Sequence, residues 1–372
     1  MDFGLNEEQE AVRDLARRIL GDRTTPERLK QLEAGEDPFD RSTWGELAEA
    51  GLLGIALPDD LGGGGLGLLE LCLVLEEVGR HVAPLPVLPS ILMGALPVAA
   101  FGNEAQRSAI VPAAASGERL LTAALVEAGT SPEAPTTTAK RDGDGWRVDG
   151  VKLCVPAGMA ADLVLVPAAT DDGVAVFLVE PGGPGVSRER LDTTSGLPEA
   201  RLALDGATVG ADAVLAEPGR GETVVDWVVQ RATVGLCAST VGVCEKALEL
   251  TAEHTKTREQ FDRPLATFQA VAQRAADAYI DTEAVRLTTW QAAWRLSENL
   301  SAADEVAVAK FWAAEGGQRV VHAAQHLHGG LGVDRDYPLH RYFLWAKQLE
   351  LTLGGTTASL LRLGRALAAQ PV

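Results

Sequence analysis

A basic and aromatic segment, TREQFDRPLATFQ at residues 257–269, contains side chains well suited to binding an anion. Arg258 and Arg263 can each hold a phosphate or a carboxylate through two parallel, charge-assisted hydrogen bonds. Phe261 and Phe268 lie close by in the sequence, and Phe261 could cover an aromatic ring or a phosphate linkage. The same four residues are equally compatible with a solvated basic corner beside two core aromatics, so this segment alone does not establish a site.

A second segment, VHAAQHLHGGLGVDRDYPLHRYF at residues 321–343, combines histidines with glycines. His322 and His326 are four residues apart, which is a helical spacing that can hold a metal ion. No HExxH motif is present, so an interior or interface histidine pair is the favoured interpretation. Gly329 and Gly330 follow at the expected end of a helix, where glycines let a ligand or an oxygen approach the backbone closely.

Other sequence patterns indicate no further chemistry. The four glycines at 62–65 could form a phosphate loop, but a dinucleotide loop should follow a strand, and helices are expected on both sides here. A flexible turn before a helix is therefore favoured. The sequence contains no Ser/His/Asp arrangement, no P-loop and no paired CxxC motifs. On spacing alone, the chain reads as a three-part protein with one candidate anion site.

The composition excludes several classes of protein. The net charge is −19, whereas nucleic-acid and anionic-membrane surfaces select for basic residues, so we expect neither partner. The uncharged run at 82–102 is long enough to span a membrane, but its four prolines favour a buried loop and helix instead. The N-terminus does not resemble a signal peptide, and the four cysteines form no CxxC pair. These features predict a reduced, cytoplasmic protein.

Three regions with different periodicities are expected to position the candidate residues. Residues 1–118 read as helices, the first of them capped by Asn6. Residues 119–215 contain short alternating stretches and Asp-Gly turns, which predict a compact antiparallel β-domain. Residues 216–372 return to a helical period, which predicts a four-helix bundle. Its helical segments are expected to begin at 221 and to continue through 268–298, 302–328 and 338–369.

The order of four motifs resembles the acyl-CoA dehydrogenase family over essentially the whole chain. LNEEQEAVRDLAR is similar to the family's opening helix, and LPDDLGGGGLGLLELCLVLEEVGR to its glycine turn and following helix. TREQFDRPLATFQ resembles the family's RxxFGxPLxxFQ segment, and QHLHGGLGVDRDYPLHRYF resembles QxxGGxGxxxxYPxxRxxR. The resemblance implies a helical domain, a β-barrel and a helical bundle. It also implies FAD-dependent oxidation of an acyl-CoA thioester between Cα and Cβ.

In this family each FAD lies between two subunits. The arginine of RxxFG and the QxxGG segment come from the neighbouring subunit and bind the adenine-pyrophosphate half of the cofactor. Carried over to this chain, the resemblance assigns cofactor binding to five residues: Arg258, Phe261, Gln325, Gly329 and Gly330. Their chemistry is suitable, because a guanidinium can pair with a pyrophosphate and glycines leave room for it.

The catalytic glutamate of the family has no counterpart here. Aligning the terminal Gly-Thr of the family's YEGT site places Gly354 at the glutamate position, and a register one residue different places Leu353 there. The second family site for the base falls close to Ala232. None of these three residues can take up a proton, so the resemblance implies that the chain lacks the general base.

The β-domain segments that serve the flavin in the family also differ. This chain has VEAGTSPEAPTT in place of TEPxxGSD, and KLCVPAG in place of KxWITNG. Cys154 replaces the aromatic ring, and Pro156 replaces a threonine and cannot donate a backbone N–H. The segments that would serve a neighbour's FAD are therefore present, and those that would serve the chain's own FAD are altered.

This pattern resembles the non-catalytic subunit of the α2β2 acyl-CoA dehydrogenases that act on steroid side-chain CoA thioesters. The resemblance implies a heterotetramer in which FAD is shared and a homologous partner subunit supplies the base. Two alternatives remain open: a self-sufficient homo-oligomeric dehydrogenase that uses Glu350, one helical turn before Gly354, and a structural or regulatory subunit without a cofactor. Flavin content with and without the partner separates the three readings.

Overall fold

The structure, a computed structural model of the chain, describes residues 3–35 and 39–369. These residues form two compact units. The first unit comprises 3–35, 68–83 and 233–369, and the second comprises 39–67 and 84–232. The domain boundaries expected from the sequence, at 118/119 and 215/216, remain predictions.

Eleven α-helices occur in the described residues. In chain order they are α1 (Glu7–Arg23), α2 (Pro26–Glu33), α3 (Arg41–Glu49), α4 (Leu68–Arg80), α5 (Leu96–Phe101), α6 (Glu104–Ala115), α7 (Gly221–Thr257), α8 (Gln269–Ser297), α9 (Ala303–His328), α10 (Leu339–Leu351) and α11 (Thr356–Ala369). Asn6 caps α1 as predicted, because its side chain accepts a hydrogen bond from the N–H of Gln9 and the Gln9 side chain accepts one from the N–H of Asn6. The helical start and end of the chain are thus confirmed.

The strands lie between α6 and α7, apart from one short hairpin. They are β1 (Leu121–Ala123), β2 (Thr138–Asp142), β3 (Gly145–Pro156), β4 (Leu163–Thr170), β5 (Gly173–Val179), β6 (Val186–Leu191), β7 (Glu199–Val209) and β8 (Val214–Ala216); the hairpin is β9 (Glu259–Gln260) and β10 (Arg263–Pro264). Strands β1–β8 form one sheet in the order β6-β7-β3-β2-β4-β5-β8, with β1 beside β4. No ladder joins β6 to β8 in the described part of the chain.

The sheet departs from the antiparallel prediction in two places. Strand β4 pairs in parallel with β1 over Leu121–Ala123, and it meets β2 in parallel at a single pair, Thr138 with Ala169. The reason is topological: β3 lies between β2 and β4 in sequence and reverses the chain, so β4 runs in the same direction as β2. The remaining strand pairs are antiparallel.

The core of the β-domain follows from the alternation of apolar residues along its strands. Trp146 on β3 and Phe177 on β5 meet edge to face with ring centroids 5.3 Å apart. Valines and alanines of β3, β4, β5 and β7 fill the space around them. Aromatic pairs in this geometry stabilise a core beyond the contribution of the area they bury.

Two regions test specific expectations. The apolar run at 82–102 folds as a π-helical segment, Leu88–Ala95, followed by α5, and most of its residues are buried. Within the described residues, none of the helices has both the length and the apolar character needed to cross a membrane. The segment at 338–369 is not one helix, because α10 ends at Leu351 and α11 begins at Thr356. The C-terminal region therefore has five helices rather than the four predicted.

Candidate functional site

The hairpin that follows α7 presents the RxxF segment at the surface. Strands β9 and β10 pair Gln260 with Arg263, so Phe261 and Asp262 form a two-residue loop. Both loop residues have positive φ, 56° and 60°, as a type I′ turn requires; Asn-Gly is the usual sequence for it. A side chain in this conformation costs about 1–2 kcal/mol per residue. The chain thus keeps an aromatic side chain in a strained position.

Phe261 and the two arginines of the hairpin have different surroundings. The Phe261 side chain is 86% exposed, and its ring stands edge-on to Phe268 at 6.2 Å. The guanidinium of Arg263 lies over the Phe268 ring at 4.1 Å, a cation–π contact. Arg258 is exposed, and its guanidinium has no ion-pair partner among the described residues. Of the two arginines, Arg258 is the one left available for an external anion.

The end of α9 carries the predicted glycine pair. The N–H of Gly329, which has φ 60°, donates to the carbonyls of Gln325 and His326 and closes the helix. A Cβ added at Gly329 or Gly330 would meet nothing within 4 Å, whereas one at Gly332 would lie 3.0 Å from the Gln325 carbonyl oxygen. The first two glycines therefore leave an open surface, and Gly332 serves internal packing.

A pair of stacked histidines joins these two segments. The rings of His254 on α7 and His328 on α9 are nearly parallel, 16° apart, with centroids separated by 4.3 Å. The His254 carbonyl accepts a hydrogen bond from the Arg258 N–H at 2.8 Å, and His328 directly precedes Gly329. Arg258 and the glycine pair thus follow two helix ends that the histidine stack joins. His254 gave no signal in the sequence, because its partner is 74 residues away (328 − 254).

The hydrogen bonds of His328 fix its tautomer. Nδ1 lies 2.8 Å from the Ala324 carbonyl, which can only accept, so Nδ1 carries the hydrogen. Nε2 lies 3.1 Å from the Tyr337 hydroxyl and accepts from it. Burial lowers the pKa of His328, against the opposing effect of its bond to Ala324. Burial, His328 and Arg258 together lower the pKa of His254. Both rings are therefore neutral at pH 7.

His322 and His326, the histidine pair noted in the sequence, are not arranged as a metal site. His322 is exposed and packs edge-on against Phe343 at 4.9 Å, and His326 is exposed one turn further along α9. In the described ranges, no group of three or more His, Cys, Asp or Glu side chains is arranged to hold a metal ion.

The predicted base position lies in the break between α10 and α11. Leu353 and Gly354 have φ of 56° and 101°, and the N–H of Gly354 bonds to the carbonyl of Leu351. A Cβ at Gly354 would approach the Cβ of Ala358 to 3.2 Å. The double glycine therefore marks a helix end. Glu350, the alternative base, pairs with Lys347 at 2.6 Å, three residues earlier on the same helix.

A buried lysine closes the C-terminal end of α10. Lys310 on α9 is almost fully buried, and its Nζ donates to the carbonyls of Leu349 at 2.7 Å and Glu350 at 3.2 Å. These are among the carbonyls that a helix end leaves without partners. Burial lowers the pKa of Lys310 to about 8. The backbone on which Glu350 sits is thus fixed from the neighbouring helix.

The second position for a base is apolar. Ala232, in the second unit, is fully buried. The guanidinium of its neighbour Arg231 lies over the Trp227 ring at 3.8 Å, and burial lowers the pKa of Arg231 to about 10. None of the three candidate base positions, Ala232, Leu353 and Gly354, carries a carboxylate side chain.

The two β-domain segments that the resemblance assigns to the flavin, VEAGTSPEAPTT and KLCVPAG, are joined by a buried ion pair. Lys152 and Glu127 form a buried ion pair, and the Lys152 ammonium also donates to the Pro167 carbonyl. Although burial opposes ionisation, the hydrogen bonds from Lys152 and Thr136 lower the pKa of Glu127 to about 2. The segments are therefore firmly held in the second unit.

The residues beyond this ion pair no longer follow a regular strand. The register of β3 against β7 shifts between Lys152 and Val155, and Cys154 in the shift is exposed with φ 48°. Burial and Glu199 raise the pKa of the Cys154 thiol. Pro156 is paired with Glu199 in the ladder without an N–H to donate. Cys154 and Pro156 thus stand where the family resemblance predicts an aromatic ring and a threonine N–H for the flavin.

Comparison with protein families matches three stretches of the chain to three domain models. The models are the acyl-CoA dehydrogenase N-terminal domain over residues 6–118, the middle domain over 126–205 and the C-terminal domain over 219–368. The chain therefore belongs to the acyl-CoA dehydrogenase family, a family of oxidoreductases, and the resemblance read from its motifs is confirmed.

Individual relatives are similar over their full lengths. The chain is 44% identical to the acyl-CoA dehydrogenase FadE27 of Mycobacterium tuberculosis over 380 residues, covering 100% of both chains. It is 34% identical to FadE28 of the same organism, covering 98% of each. Among solved structures, the ChsE4-ChsE5 complex from Mycobacterium tuberculosis matches with TM-score 0.95, 44% identity and complete coverage of both chains. A single-residue variant of the Tcur3481-Tcur3483 steroid ACAD matches with TM-score 0.91 and 47% identity, covering 97% of this chain and 98% of that one.

Proposed function

We propose that this chain is one subunit of a heterotetrameric, FAD-dependent acyl-CoA dehydrogenase that desaturates a steroid side-chain CoA thioester between Cα and Cβ. In this proposal the chain completes the FAD site of a homologous partner subunit, and that partner supplies the general base. Two similar structures are complexes of two differently named subunits, and one of them is described as a steroid ACAD, which supports the assembly and the substrate class.

The observation that carries the proposal is the surface formed by the ends of α7 and α9. Arg258 there is exposed and has no ion-pair partner in the described part of the chain. Gly329 and Gly330 leave the adjacent backbone uncovered, and Phe261 is held exposed at a strained turn. An unpaired guanidinium beside an uncovered glycine backbone suits a pyrophosphate, and an exposed ring suits the adenine or its linkage. Gln325, whose carbonyl caps Gly329, belongs to the same surface.

The chain's own potential catalytic site lacks the residues that the family uses for proton removal and for flavin contacts. Its base positions are Gly354 and Ala232, and the segment that should face the flavin ring has an exposed cysteine at 154 and a proline at 156. The FAD, when bound, supplies the acceptor for a hydride leaving the acyl Cβ. Removal of the Cα proton needs a base, and none of the family positions in this chain provides one. The contribution of this chain is therefore to bind and orient the cofactor.

The test is the substitution Arg258→Ala in the assembled complex. A charge-assisted hydrogen bond to a phosphate contributes about 1.5–3 kcal/mol. Its loss should weaken flavin binding roughly ten- to a hundredfold, because 1.4 kcal/mol corresponds to a factor of ten. Arg258→Lys should recover only part of this, since an ammonium lacks the planar fork. Flavin per complex is measured after dialysis, with the assembly verified by sizing.

Arg263→Ala is the matched control, because Arg263 lies on the same hairpin but its guanidinium is engaged by Phe268. This variant should keep most of its flavin. Full flavin retention and activity in Arg258→Ala would refute the cross-subunit site.

Flavin content also separates the proposal from its alternatives. Flavin that appears only when the partner is co-expressed supports the shared site. A flavin-loaded homo-oligomer of this chain alone would support the self-sufficient dehydrogenase, and a colourless chain in both preparations would support the structural subunit.

A further inference from the structure

The stacked rings of His254 and His328 make the junction of α7 and α9 sensitive to protonation. Two imidazoles 4.3 Å apart and nearly parallel cannot both take up a proton without repelling each other. The cation Arg258 also lies close enough to His254 to lower its pKa. A proton added to His254 would therefore meet the positive charge of Arg258.

The tautomer of His328 reinforces this sensitivity. In the neutral form its two nitrogens complete a chain of hydrogen bonds, from the Tyr337 hydroxyl to Nε2 and from Nδ1–H to the Ala324 carbonyl. A proton added at Nε2 turns an acceptor into a donor and forces the Tyr337 hydroxyl to rotate. Tyr337 is itself fixed by its carbonyl, to which His340 Nδ1 donates at 2.7 Å.

Position in the fold connects this pair to the cofactor surface. His254 lies one helical turn before Arg258 and its carbonyl accepts the hydrogen bond of the Arg258 N–H, and His328 lies directly before Gly329. Within the described residues, this stack is the ring contact that joins the end of α7 to the end of α9. Opening the stack therefore removes this contact between the arginine's helix end and that of the glycine pair.

We propose that His254 and His328 are positioning residues whose stacked rings hold Arg258 and the Gly329–Gly330 turn in register, and that their protonation releases the cofactor surface in mild acid. The groups that face the two rings are Arg258 on α7 and Tyr337 before α10, and no carboxylate of the described residues pairs with either imidazole. The inference rests on the proposed function, because it describes how this chain maintains its half of the shared site.

The direction of the pH effect follows from the lowered pKa values of both histidines. An unfolded histidine titrates near 6.5, so below this pH the unfolded chain takes up protons that the folded pair resists. The free energy of unfolding therefore falls as the pH drops below about 6.5, until the lowered pKa values of the folded pair are reached. The contribution of the stack is fully present at higher pH.

The experiment measures flavin retained by the assembled complex between about pH 8 and pH 5, a range that brackets the ordinary histidine pKa. The wild-type complex should lose affinity roughly tenfold from about pH 7.5 to 5.5, the factor expected when one pKa is displaced by one unit. His254→Phe keeps a flat ring and removes one titrating group, so retention should match wild type at the higher pH and fall less in acid. His254→Ala removes the ring and should bind flavin roughly tenfold more weakly at both values.

His322→Phe is the control, because His322 is an exposed histidine nearly two turns from the end of α9. It should retain flavin at every pH as the wild type does. Equal acid loss in His254→Phe and wild type, or full retention in His254→Ala, would overturn the inference. Arg258→Ala measured in parallel separates the two failures: if it loses flavin while the histidine variants do not, only the positioning role is wrong.

Discussion

Two glycine pairs, Gly329–Gly330 and Gly354–Gly355, look alike in the sequence but have different surroundings. Each follows the end of a helix. A side chain at either residue of the first pair would point into open space. At Gly354 it would press on Ala358 at 3.2 Å, and the backbone there has φ 101°. Gly329 and Gly354 both have positive φ and serve a turn, but only the first pair leaves open space at both of its residues.

The backbone conformation of Gly354 bears on the absence of a base at this position. A glycine at a family catalytic position suggests a residue that was lost because it was no longer needed. The structure supplies an independent reason for glycine at 354, since a side chain is strained at that φ. In the proposed function Gly354 occupies the family's base position, so a carboxylate placed there by one substitution would also disturb the turn.

The largest effect that separates the two pairs is expected for Gly330→Val. Nothing in this chain lies within 4 Å of the added Cβ, so its own stability should change little. Overpacking against a cofactor costs about 1–3 kcal/mol, so flavin affinity of the complex should fall roughly ten- to a hundredfold. Flavin titration and thermal unfolding of the same sample measure both quantities.

Gly332→Ala gives the opposite pattern and serves as the control for Gly330→Val. The added methyl would meet the Gln325 backbone at 3.0 Å, so the loss should appear in stability. Unchanged flavin affinity in Gly330→Val would mean that the open surface does not face the cofactor.

A smaller effect is expected for Gly354→Glu, and it should appear in stability rather than in cofactor binding. A non-glycine residue at this φ costs about 1–2 kcal/mol, and the contact with Ala358 adds strain. No second active site should form, because the proposed function assigns support of the flavin ring to the partner subunit. Gly355→Glu is the matched control, since its φ is not positive and its nearest neighbour is 3.7 Å away. Doubled flavin content with new turnover in Gly354→Glu would contradict this account.

The sequence predicted the elements better than their contacts. Helix caps, alternation and turn residues are local signals, so Asn6, the β-domain and the helical C-terminus were identified correctly. The His254–His328 stack depends on where two helix ends meet in space, which no local pattern encodes. The parallel pairing of β4 with β1 was missed for the same reason. The sequence pattern also missed the division of 338–369 into two helices, although Gly354 and Gly355 are residues that commonly follow a helix end.

The candidate site divides in the same way. The family motifs predict Arg258, Phe261 and the glycine pair, because those positions follow a fixed pattern in sequence. The environments that distinguish Arg258 from Arg263 could not be read from it, since both arginines lie in one short segment. Only the structure reveals that Arg263 is engaged by the Phe268 ring while Arg258 has no such contact.

The smallest effect is expected for Glu350→Gln, which tests whether α10 carries a displaced base. The carboxylate of Glu350 is paired with Lys347 at 2.6 Å, and the nearby ammonium of Lys310 bonds to the backbone carbonyl of Glu350. The carboxylate of Glu350 is thus engaged by a lysine on its own helix, which leaves it less available to an external substrate. Turnover of the assembled complex should therefore stay within about twofold of wild type, against the roughly hundred- to ten-thousandfold loss typical of removing a general base. Lys347→Gln removes the same ion pair and keeps the carboxylate. A large loss in Glu350→Gln alone would assign the base to this chain, whereas equal small losses in both variants would assign Glu350 to the helix surface.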